Sequence, residues 1–140
     1  MSAVFNKFSS FVEAVAEKKH DLGADSLKIM LVLSAPIASN TVKANLTDIA
    51  AGNGYTAGGT AVTVSASSQT SGLYKLVGTH AGYTASVGSI GPFRYAVLYN
   101  DTATNKELIG WWDYGSSITL AAGETLAITL DGTNGVLTIQ

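Results

Sequence analysis

From residue 27 to the C-terminus the apolar residues come in short runs separated by turn dipeptides, and no helical spacing falls between the runs. That pattern rules out a parallel α/β fold, whose successive strands need long, usually helical, crossovers. "LKIMLVLS" (27–34) is β-rich and apolar on both faces, which predicts a central or doubly covered strand ended by Pro36. "TAVTVSAS" (60–67) and "TLAITL" (125–130) alternate with period two, as half-buried strands do. Further strands are predicted at 46–50, 72–79, 83–89, 93–99, 107–112, 117–120 and 136–139. Turn signals at Asn53-Gly54, Gly58-Gly59, Gly91-Pro92, Ala122-Gly123 and Asp131-Gly132 lie between them. The implied fold is mainly β: an antiparallel β-sandwich or jelly roll of about eight strands over residues 27–140.

Residues 1–26 read as an N-terminal amphipathic helix and connector. Val4, Phe5, Phe8, Phe11, Val12 and Val15 recur at helical spacing, with Ser2 as N-cap and Gly23 as the stop. The polar side mixes Lys7, Glu13, Glu17 and Lys18, without the cationic bias of a membrane-surface helix. The stripe either packs on the chain's own sheet or docks onto a partner. The N-terminus lacks an uninterrupted apolar core, so no signal peptide is expected. No apolar run approaches the roughly 20 residues of a membrane helix.

"GNGYTAGG" (52–59) satisfies a loose dinucleotide fingerprint, Gly52-x-Gly54-x-x-Ala57. Such a loop must open a helix whose N-terminus holds the pyrophosphate. Thr60-Ala61-Val62-Thr63-Val64 follows instead, and it is a strand former. The glycines therefore read as left-handed positions in a tight loop, and no nucleotide cofactor is expected.

Other chemistry is sparse. Absence of cysteine excludes thiolate metal sites and thiol catalysis. His20 and His80 make no metal-ligand spacing, and no G-x-S-x-G elbow supports a triad of a serine with His80 and Asp113. Glu107, Asp113 and Glu124 are isolated acids. The expectation is a protein without catalytic, cofactor or metal residues, and so not an enzyme. A net charge of −2 gives no basic footprint for nucleic acid. Residues 1–28 hold eight of the eighteen charged side chains, leaving ten for the remaining 112 residues. A body that poor in charge is either covered by another protein or solvated by its Ser and Thr hydroxyls.

"ELIGWWDYG" (107–115) is the most informative stretch. Adjacent strand residues face opposite sides, so Trp111 and Trp112 cannot share one core. One fills the sandwich; the other lies outside, under the N-terminal phenylalanines or under another chain. Tyr95 and Tyr99 raise the same choice. Phe5, Phe8, Phe11, Trp111 and Trp112 are thus the candidate protein-interface residues, because aromatic anchors dominate interface energetics at about 2 kcal/mol each.

"GNGYTAGG", "FRYAVLYNDTAT", "LIGWWDYGSSITLAAGETLAITL" and "DGTNGVLTIQ" together resemble small virion proteins of tailed bacteriophages, among them the jelly-roll capsid cement, or decoration, proteins. The motifs run from about residue 52 to the C-terminus, and none covers the first 26 residues. The resemblance implies a virion structural protein, made in the bacterial host cytoplasm, on the exterior of an icosahedral capsid. Its partners would be the major capsid protein and a second copy of itself, as a homodimer in preference to a trimer. No membrane and no nucleic acid is expected as partner, from the charge and the short apolar runs above. Related motifs in head fibres and tails imply the alternative of a receptor-binding module for a host glycan.

Overall fold

The computed structural model describes residues 3–140, so the expected N-cap Ser2 lies outside the described residues. The chain is mainly β, antiparallel, with one short helix. In order it forms β1 (Asn6–Lys7), α1 (Ser10–Ala16), β2 (Leu27–Val32), β3 (Thr60–Ala61), β4 (Thr63–Thr70), β5 (Leu73–Thr79), β6 (Tyr83–Thr84), β7 (Ile90–Asn100), β8 (Leu108–Leu120), β9 (Thr125–Leu126) and β10 (Leu137–Ile139). A five-stranded sheet of order β1-β8-β7-β2-β3 faces a three-stranded sheet, β10-β5-β4, and the two-stranded pair β6-β9.

The period of β2 sets the layers. Leu27 and Ile29 enter one cluster with Leu98, Ile109, Leu76, Val136 and Leu137, which joins the five-stranded and three-stranded sheets. Leu31 enters a second cluster with Tyr55, Tyr83, Ile90 and Phe93, beneath β6-β9. Met30 and Val32 point the other way, into a third cluster with Phe8, Val97, Tyr99 and Leu108. β2 is therefore covered on both faces, as the apolar residues on both its faces predict. Its pairing with β7 (Ile29↔Leu98, Met30↔Val97) keeps these sides in register.

Several expected elements change. The predicted helix shrinks to seven residues. Lys18 adopts φ 64°, and its N–H and that of Lys19 bond back to Val15 O and Ala14 O, closing the helix before Gly23 is reached. The apolar stripe accordingly divides: Phe5 lies ahead of β1, Phe11 and Ala14 face the core, and Val4 and Val12 face solvent. The expected strand at 46–50 is reduced to a single bridge, Asp48 to Val32, with the Ile49 N–H on Leu31 O, while the Asp48 carboxylate holds the Tyr55 hydroxyl and the Gly58 N–H. The runs 107–112 and 117–120 join into β8. Gly91-Pro92 sits inside β7, at a register shift, and is no turn. The strands at 83–89 and 125–130 survive only as β6 and β9.

One buried polar knot ties the N-terminal segment to the β7–β8 connection. Asn100, fully buried, accepts the N–H groups of Thr102 and Ala103 on Oδ1 and donates from Nδ2 to His20 Nδ1 (3.0 Å) and Asp25 Oδ2 (2.6 Å). An accepting Nδ1 puts the His20 proton on Nε2, in a neutral imidazole that also packs on Phe11. Burial holds its pKa below the ordinary histidine value, overriding the raising influence of Glu107 and Asp25. Burial likewise lowers the pKa of His80. The folded state thus binds a proton less readily than the unfolded chain, so stability is full above about pH 6.5 and falls as pH drops below it. Urea midpoints should decline from pH 8 to pH 5.5, and H20Q should flatten that decline. An unchanged slope in H20Q would refute the role given to His20.

Candidate functional site

β1 sits at the edge of the large sheet, pairing Asn6 with Trp111 and Lys7 with Gly110. This places two phenylalanines on opposite sides of β8. Phe8 stacks on Trp111 at 4.5 Å between ring centroids, on the face of the third cluster. Phe5 meets Trp112 at 5.2 Å, on the side of the first cluster. The two tryptophans do part, as their adjacency requires, and the chain's own N-terminal segment covers both. Gly110 makes the second contact possible, because a Cβ there would collide with the Phe5 ring and stand 2.7 Å from Asn6 O.

The five residues expected to anchor a partner are thereby divided. Phe8 is wholly buried and Phe11 nearly so. Both are spent in the chain's own cores, which corrects their assignment as interface anchors. Phe5, Trp111 and Trp112 are half-buried.

Phe5 and Trp112 form one wall of a cleft of about 730 Å³. Its floor is Leu31, Phe93 and Ala96; Tyr114 and Arg94 also line it, and the opposite wall is the segment Leu126–Asp131. Arg94 is paired with Asp113 through two bonds, Nε to Oδ1 at 2.8 Å and Nη2 to Oδ2 at 3.0 Å. That pairing raises the guanidinium pKa and, with the Gly115 N–H, lowers the Asp113 carboxyl. Asp131 accepts from Thr133 N, Asn134 N and Asn134 Nδ2, which lowers its pKa also. The cleft is therefore apolar at its base, with the neutralised Arg94–Asp113 pair and the ionised Asp131 carboxylate at its rim. Its size is that of ordinary ligand sites, roughly 300–1,000 Å³.

Sequence reasoning found Trp112 and Phe5 but not Arg94, Tyr114 or the 126–131 wall. Tyr114 was legible as a third ring beside the tryptophan pair. The Arg94–Asp113 pair was not, since the partners are joined only by the β7–β8 register.

The glycine-rich loop has a structural explanation. Gly52, Asn53, Gly54, Gly58 and Gly59 all have positive φ, as expected of a tight loop. Tyr55 donates to Asp48, and Tyr99 donates to Gly58 O at 2.6 Å. Tyr83 donates to Ile29 O at 2.5 Å and accepts from Thr60 N. Burial raises the pKa of all three phenols. They are spent as hydrogen-bond posts.

The isolated acids and histidines have separate partners. His80 accepts the Gly82 N–H on Nδ1, so its proton lies on Nε2 and points at Thr60. In that tautomer it cannot take a proton from the Thr60 hydroxyl. Asp113 serves Arg94 and Gly115, Glu124 accepts the Ala121 N–H, and Glu107 is buried beside Asn105. Among the described residues, no group of three His, Cys, Asp or Glu side chains has metal-holding geometry, and no helix is long and apolar enough to cross a membrane.

Compared with known proteins, the chain matches no protein family, no curated protein and no solved structure.

Proposed function

We propose that this protein is a structural component of a tailed-phage virion. In this reading it binds the outer surface of the icosahedral capsid and cements neighbouring major capsid subunits by non-covalent bridging. The sandwich is read as a jelly roll of the cement type, acting without catalysis and as a homodimer. One observation carries the proposal. β4 exposes seven of its eight residues, and the strand, "TVSASSQT", holds no charged side chain. Charged residues are depleted where protein interfaces are most fully buried, so a long, hydroxyl-bearing, charge-free strand suits a surface that ends up covered. The quoted motifs support the reading from another direction. They supply the glycine loop, β7 and β8, which build the fold and carry no chemistry of their own.

The mechanism is adhesion. A stable contact needs roughly 1,200–2,000 Å² of buried surface. A second contact made by an already tethered molecule is intramolecular, which raises overall affinity by about 10²–10⁴. Purified particles are expected to contain this chain in numbers comparable to the major capsid protein. Only a few copies per virion would reject the role.

A second reading rests on the half-buried Trp112 and the exposed Tyr114 in the cleft. These are rings of the kind on which a sugar stacks, as a head-fibre or tail module for a host glycan would require. A glycan array probed with capsid-free protein separates the readings. Reproducible binding to a host polysaccharide would favour the glycan.

A further inference from the structure

The segment "TLAITL" has the alternation of a strand along its whole length, yet only Thr125 and Leu126 are paired. Ile128 and Leu130 pack inward against the cores, while Ala127 and Thr129 face out, so the side chains keep strand order. The main chain of Ala127–Leu130 makes no hydrogen bond to any other described residue. Four consecutive residues of strand-forming sequence, held in alternating register, therefore present unused N–H and C=O groups on the wall of the Trp112 cleft. An unpaired row of this kind is a template for another strand.

We propose that this cleft accepts a β-strand donated by another polypeptide, which pairs with Ala127–Leu130 and seats its side chains against Trp112 and Tyr114. The chemistry of the occupant follows from the lining. Arg94 and Asp113 neutralise one another, and Asp131 is held by its own loop. Asp131 keeps its negative charge at the rim, so the donated strand carries no acidic side chain and has apolar residues at alternate positions. Four extended residues span roughly 13 Å, and the donor strand is of that length or a little longer. A saccharide stacks on the rings and can bond single amides through its hydroxyls, but it lacks the repeating N–H and C=O spacing that pairs a whole strand. The inference stands whether or not a capsid subunit is the donor.

The test combines hydrogen exchange with titration of the full chain. In the free protein the amides of Ala127–Leu130 should exchange without protection. A panel of capped octapeptides, with Val, Ile or Leu alternating with Thr, should change Trp fluorescence. Binding should protect two of the four amides, at alternate residues, because successive N–H groups point to opposite edges of a strand. Proline at a protected position, T129P or L130P, should weaken binding at least tenfold. Proline at the other should leave it within twofold. Amides already protected in the free chain would overturn the proposal. So would a panel that protects none of them, or neutral oligosaccharides that quench the fluorescence where peptides do not.

Discussion

Replacing Phe8 with alanine is expected to lower the unfolding free energy by about 3–5 kcal/mol, the range for deleting a large buried aromatic. Phe8 is 0% exposed and lies among Met30, Val32, Val97, Tyr99 and Leu108, with its ring on Trp111. The site is poorly placed to collapse around the lost volume. On one side stand the central strands β2 and β7; on the other, the Phe8 N–H is fixed to Ile109 O. For a chain of this length the melting temperature should fall by roughly 10–20 °C. Phe5, half-buried on the opposite side of β8, should cost visibly less on the same substitution. The comparison also bears on function. Folded F8A, kept below its lowered transition, should bind as wild type does, since this ring is turned away from any partner. A loss of under 1 kcal/mol would refute the packing described for this ring.

The second large effect is expected at Gly59. Its φ is +77°, and an added Cβ would collide with Ile29 O while standing 2.6 Å from Ile29 C and 2.8 Å from the Tyr83 hydroxyl. None of these neighbours yields easily. Ile29 belongs to the centre of the large sheet, and the Tyr83 hydroxyl is already bonded to Ile29 O and Thr60 N. G59A should therefore cost about 4 kcal/mol, combining left-handed backbone strain with a backbone collision. Gly72 is the control. It has φ +86° with nothing within 4 Å of an added Cβ, so G72A should show the backbone strain alone, about 1–2 kcal/mol. Chemical denaturation of the two variants measures the difference. Equal losses would mean that Gly59 is needed only for its φ.

Gly59 shows why the glycine loop resembled a nucleotide motif. The requirement for glycine is real, but it arises from positive φ and close approach to the chain's own backbone, Ile29 O at Gly59 and Thr84 O at Gly54. Three phenols and the Asp48 carboxylate complete the anchoring, and these come from residues 48, 55, 83 and 99, which no local motif connects.

The sequence alone determined the class of the fold, because hydrophobic period is a local property. Two-sided burial of β2, the opposite facing of Trp111 and Trp112, and the left-handed glycine loop all follow from which residues stand next to each other. Tertiary structure decided how those faces were used. Val4 through Val15 are spaced as one helical stripe, yet β8 offered an edge to Asn6 and Lys7, and the pairing gained there converted half the stripe into a strand clasp around the two tryptophans. "TLAITL" is as strand-like as "TAVTVSAS", but a strand is completed only by a neighbour, and the chain supplies one for Thr125 and Leu126 alone. Alternation along a chain fixes which side chains turn inward. Whether the main chain between them is bonded depends on what stands alongside in space, and that is set by the whole fold.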